Sequence, residues 1–183
     1  AMKQHVRFPS KHRTVLVVMI LAGLAFVAGC GGEPEPLTAE SLKNAEYQGI
    51  YPEAVQLVDG RYEGEPFQED GASRPMVIFI EPTAFGDLNG DGVEDAAVLL
   101  VETSGGSGAF IYLAAVINED GTSHNQATIL LGDRVQVESL KIETSEIQIE
   151  MLTHGPDDPL CCPTQETTAS YTLEALELLH FSE

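Results

Sequence analysis

Two spacings of apolar residues alternate along this chain, and the points where each starts and stops predict its elements. Residues 14–28 are almost wholly apolar and follow a leader carrying Lys3, Arg7, Lys11 and Arg13. At about fifteen residues this run is short of the ~20 that a membrane-crossing helix needs, and it has the layout of a secretory signal. Residues 31–36 have no apolar period and carry Gly and Pro in quick succession, which predicts an extended tether. Residues 37–47 predict a short helix, with Thr38 placed to cap, Glu40 near the positive end, and Leu42 and Ala45 on one face.

Beyond this helix the spacing falls to two, or to unbroken apolar runs separated by turn residues. Residues 55–58, Asp59-Gly60 and residues 61–63 predict a hairpin, because Asp-Gly suits a tight primed turn. Residues 65–75 are polar, hold Pro66, Gly71 and Pro75, and predict an exposed loop. A strand is expected over 76–80, ended by Pro82, and another over 96–101. Ser104-Gly105-Gly106-Ser107-Gly108 turns that strand into 109–117, and Asn118-Glu119-Asp120-Gly121 turns again. Two adjacent apolar runs of this length predict central strands covered on both faces.

Residues 128–131 lead through Gly132-Asp133-Arg134 to Val135 and Val137, whereas Leu140 and Ile142 keep the opposite parity. A bulge is therefore expected near Glu138-Ser139. Residues 143–146 close a hairpin whose return strand puts Ile147, Ile149 and Met151 on one face. After a loop over 154–166, residues 168–173 and 176–181 predict a last pair of strands. The fold class is α+β: a mostly antiparallel β-sheet with one short N-terminal helix, preceded by a signal peptide.

Charge narrows the function classes. Four of the nine Lys and Arg lie in the leader and all 29 Asp and Glu lie after Cys30, leaving five basic against 29 acidic residues, a net of −24. Such a surface repels nucleic acid, which is set aside, and anionic lipid headgroups, and it suits calcium, basic ligands or solubility. About 150 residues remain after the leader, enough for one domain with a sizeable core.

The chemically densest stretch is Phe85-Gly86-Asp87-Leu88-Asn89-Gly90-Asp91-Gly92-Val93-Glu94-Asp95, which runs directly into an apolar strand. Asp87, Asn89, Asp91 and Asp95 hold places one, three, five and nine of a loop. Gly92 supplies a turn, and the Val93 carbonyl can fill place seven. Oxygen-rich, sulfur-free donors of this kind suit a hard cation, calcium. A helix-loop-helix calcium hand would require a bidentate Glu at place twelve, where this chain has Val98 inside a predicted strand. The loop resembles instead the DxDxDGxxD calcium loop that joins two strands in FG-GAP and related propeller repeats, with Asn89 at place three. It occurs once, so the resemblance implies a metal site and not a propeller. The competing reading is a turn in which Asx side chains bond their own backbone without a metal.

Val27-Ala28-Gly29-Cys30 resembles the bacterial lipobox, which implies cleavage before Cys30 and a lipid on that cysteine; an uncleaved anchor is the alternative. The expected organisation is a lipoprotein signal over 1–29, lipidated Cys30 with its tether over 30–36, and a single acidic domain over 37–183. The domain would be membrane-anchored in the cell envelope outside the cytoplasm, and Gly31 occupies the position where Asp would signal retention.

With Cys30 committed to lipid, only the adjacent Cys161 and Cys162 remain to pair. An oxidising compartment favours their disulfide, which would either stiffen the loop or serve as a redox or ligand switch. Zinc at these thiols with His154 matches no spacing pattern. A Cys162 nucleophile with His154 and Asp157 would sit beside a second thiol able to trap it. The lipobox, the helix, the acidic loop, Leu131-Gly132-Asp133-Arg134-Val135, and His154-Gly155-Pro156-Asp157 with Cys161-Cys162-Pro163 together resemble a group of bacterial exported lipoproteins without an assigned activity. Two function classes follow. One is a lipid-anchored, calcium-stabilised binding or structural module of open ligand; the other is a thiol/disulfide redox protein or enzyme working at Cys161-Cys162.

Overall fold

The structure, a computed structural model, describes residues 34–180. The signal, Cys30 and the first part of the tether lie outside the described residues. Along the chain come α1 (Ala39–Lys43), β1 (Glu46–Tyr47), β2 (Val55–Gln56), β3 (Arg61–Glu63), β4 (Met76–Gly86) and β5 (Asp95–Thr103). They are followed by β6 (Phe110–Glu119), β7 (Thr122–Asp133), β8 (Gln136–Glu143), β9 (Glu146–Thr153), β10 (Gln165–Thr172) and α2 (Leu173–His180). Every strand pairing is antiparallel, in three groups: β3-β4-β5-β6-β7, β10-β9-β8, and the short pair β1-β2.

The five-stranded sheet is the middle layer, and β5 is its central strand because neither face of its sequence is polar. Ala97 and Leu99 turn to one side with Leu113 and Ile129, where they meet Ile147 and Ile149 of β9 and Leu176 of α2. Ala96, Val98 and Leu100 turn to the other side, where Leu42, Tyr47, Val55 and Leu57 of the N-terminal part cover them. The two cores are therefore fed by alternate residues of the same strand, as a period of two requires.

Local chemistry accounts for the edges of these elements. Thr38 accepts the Ser41 backbone N–H while the Ser41 hydroxyl accepts that of Thr38, so α1 begins in a reciprocal cap. Leu42 and Ala45 are both buried, as their spacing predicts. The Asp59-Gly60 turn forms with both residues at positive φ, but its arms part after the Val58–Arg61 bridge. β2 then joins β1, and β3 joins β4. The bulge expected near Glu138-Ser139 lies between Val137 and Ser139.

Three expectations fail. The helix expected over 37–47 stops at Lys43, and Glu46–Tyr47 form strand β1, paired with β2. Pro82 does not end its strand: β4 runs on to Gly86, because the ladder to β5 shifts register between Ile80 and Ala84. The proline sits in that irregularity, where no ladder N–H is needed. Residues 176–180 are helical, not a strand, so the fold carries a second helix. Leu173 and Leu176 are three apart, the intervening residues favour helix, and the Thr172 hydroxyl accepts the Ala175 N–H at 3.2 Å to start the turn. Leu176 is buried, and His180 Nδ1 lies 3.0 Å from the Thr128 carbonyl, which seats the helix on β7.

Candidate functional site

The acidic loop links β4 to β5 at the edge of both cores, and its side chains fold back into it. Asp87 Oδ1 accepts the Gly90 N–H at 2.6 Å and Oδ2 that of Gly92 at 2.9 Å. Asn89 Oδ1 accepts the Asp91 N–H at 2.9 Å, and Asp91 Oδ1 accepts the Val93 N–H at 2.7 Å. The Asn89 amide donates to Asp91 Oδ2 at 2.9 Å. Gly90 and Gly92 have φ of +81° and +85°, and the space where a Cβ would stand is open at both. Left-handed backbone there costs glycine nothing, which lets successive N–H groups converge on the carboxylates.

Asp95 behaves differently. It is wholly buried, accepting the Leu88 N–H at 2.8 Å on one oxygen and the Asn118 N–H at 2.9 Å on the other. It therefore ties the loop to the end of β6. The predicted residues Asp87, Asn89, Asp91, Val93 and Asp95 thus share one loop, whose geometry realises the Asx-turn reading. A carboxylate oxygen that accepts one N–H keeps a second lone pair, so the same contacts leave donors for a hard cation. The donor set fits calcium in kind. As folded it is not drawn into a cage: among the described residues no three His, Cys, Asp or Glu side chains are grouped so as to hold a metal ion.

Cys161 and Cys162 are bonded to each other and both are exposed. Their loop is organised by Asp158, whose carboxylate accepts the N–H groups of Gly155 and Thr164 at 2.9 and 2.7 Å and the Thr164 hydroxyl at 2.8 Å. These bonds, the one from Gly155 foremost, hold its carboxyl below the ordinary carboxylate range. The Arg134 guanidinium donates to the carbonyls of Leu160 and Ser107 and pairs with Asp133, clamping the cysteine loop to the turn between β5 and β6. Neither sulfur is a thiolate here, so His154 and Asp157 assemble no nucleophilic pair with Cys162. Asp157 is exposed, and His154 Nε2 is buried without a partner.

Three features escape a reading of the sequence. Asn118 is one: its side-chain amide donates to the Glu35 carbonyl at 2.9 Å, and its oxygen accepts the Gly121 N–H at 2.8 Å. The Asn-x-x-Gly spacing signals the turn, but nothing in it signals a partner 83 residues away. Arg134 is another. The third is Tyr51, which donates to Glu102 Oε1 at 2.9 Å, an oxygen that also accepts the Ser104 hydroxyl at 2.6 Å. Burial first, then the Glu102 carboxylate, pushes the Tyr51 hydroxyl pKa up. A cleft of about 370 Å³ opens beside it between Tyr62, Pro52 and Pro75.

Compared with protein-family models, curated proteins and solved structures, the chain matches none. Function therefore rests on the geometry above and on the motifs of the sequence.

Proposed function

We propose that this chain is a lipid-anchored, extracytoplasmic module that binds a partner or supports the envelope, with calcium organising the loop before its central strand. The observation that supports it is the gathering of the Asp87, Asn89 and Asp91 oxygens in one loop at the mouth of β5: each accepts a backbone N–H, as the turn without a metal also requires, and each accepting oxygen keeps a lone pair for a cation. Asp87, Asn89, Asp91 and the Val93 carbonyl would hold the ion, and Asp95, predicted from its place in the loop as a further ligand, would fix the loop beneath it through the Leu88 and Asn118 N–H groups. The lipobox-like Val27-Ala28-Gly29-Cys30 supports the anchor, and the net of −24 after Cys30 supports a cationic rather than a nucleic-acid ligand.

Calcium is expected to raise the melting temperature and a chelator to lower it. At millimolar calcium, with the ~10⁻⁴ to 10⁻³ M affinity usual outside cells, the gain is about 0.4 to 1.4 kcal/mol. Asp91→Ala is expected to abolish the response; a melting temperature indifferent to calcium and chelator in the parent protein removes the metal from the proposal.

A second reading, thiol–disulfide exchange at Cys161-Cys162, is favoured by the exposure of both residues on a clamped loop. An external dithiol would be oxidised as this bond is reduced. Titration of free thiols after mild dithiol treatment separates the readings: two new thiols support exchange, and none leaves the bond as a staple.

A further inference from the structure

We infer that the end of the domain bearing the 87–95 loop faces the headgroup layer of a phospholipid bilayer, with the Cys161-Cys162 loop at the far end. The inference rests on the reading of Cys30 as the lipid-bearing residue. What the structure adds is that the chain entering the domain is fastened down. Leu37 is buried in the core formed with Leu42 and Leu100, and the Glu35 carbonyl is held by the Asn118 amide at 2.9 Å. The same amide lies 3.4 Å from the Glu94 carbonyl, while the Asn118 backbone N–H is spent on Asp95. Pro34 and Pro36 wall a cleft of about 480 Å³ whose other side is Asp91, Gly92, Val93 and Glu94.

Cys30 is four residues before Pro34. Four residues reach at most about 14 Å in any conformation. A lipid on Cys30 therefore brings the bilayer surface to within that distance of Pro34, which lines one cleft with residues 91–94. Antiparallel pairing does the rest. Asp95 at the start of β5 and Glu119 at the end of β6 share this end, whereas Thr103, Phe110 and Asp133 mark the other. Arg134 holds Leu160, and with it the disulfide loop, at that other end through Ser107. The nine residues of β5 separate the two ends by about 30 Å.

The test uses the full lipoprotein in phosphatidylcholine vesicles doped with a nitroxide-headgroup lipid. Fluorophores are placed singly at Glu119→Cys and at Gly106→Cys, the latter in an open turn at the far end. Several-fold stronger quenching at 119 than at 106 is expected. A flexible Gly/Ser spacer of about twenty residues inserted after Gly32 is expected to erase the contrast, because reach grows with chain length. Asn118→Ala is expected to weaken it. Mass spectrometry of the mature N-terminus runs alongside. Lipid present on Cys30 with equal or reversed quenching overturns this inference alone, and a contrast that survives the spacer overturns the tether as its cause. No lipid on Cys30 overturns the anchor reading and this inference with it.

Discussion

Asp95→Ala is expected to destabilise the protein by about 3 kcal/mol in chemical denaturation, with chelator present throughout. The side chain is wholly buried, and both oxygens serve backbone N–H groups, those of Leu88 and Asn118. Alanine would orphan two donors in a site closed to water, at about 1 to 3 kcal/mol each. Asp91→Ala is the internal control. Asp91 is exposed and bonds only within the loop, so under chelator its loss is expected to cost well under 1 kcal/mol. The pair separates a structural carboxylate from a ligating one. Equal costs for both variants would mean that Asp95 is not the post on which the loop, β5 and the end of β6 are hung.

Leu99→Ala and Leu100→Ala are each expected to cost about 2.7 to 5 kcal/mol, and to do so in different places. Both side chains are fully buried, but Leu99 belongs to the core shared with β9 and α2, whereas Leu100 belongs to the core shared with α1, β1 and β2. Native-state hydrogen exchange reads the difference. Leu99→Ala should speed exchange in β8 and β9 and spare the Leu57 N–H, which bonds to the Ala45 carbonyl. Leu100→Ala should do the reverse. A single pattern common to both variants would rule out two separately packed cores on the faces of one sheet.

The legibility of the fold followed how local each determinant is. The Thr38 cap, the Asp59-Gly60 turn and the parity break at Glu138 are decided within a few residues, so spacing alone exposes them. The parity break was readable because Val137 and Leu140 cannot face one core without an extra residue between them. Pro82 and α2 were misread for the opposite reason. Whether a proline ends a strand depends on whether its neighbour needs the missing N–H, and β5 does not need it at the register shift. Whether Leu176 lies in a strand or a helix depends on the surface that receives it, here the core over β7 and β9. At the candidate site, the sequence exposed the oxygen donors but not their division of labour: Asp87, Asn89 and Asp91 close the loop on itself, while Asp95 looks inward and holds the sheet.

By itself the sequence determined the class of fold, the two-faced burial of β5, the acidity of the domain and the positions of its oxygen donors. Each follows from side-chain type at fixed spacing. Only the tertiary structure decided that Asn118 clasps the incoming chain at Glu35, that Arg134 clamps the cysteine loop at the far end, and that Asp95 is sealed from water. These are contacts between residues distant in the chain, and partners are chosen by how the layers stack, which no local spacing encodes.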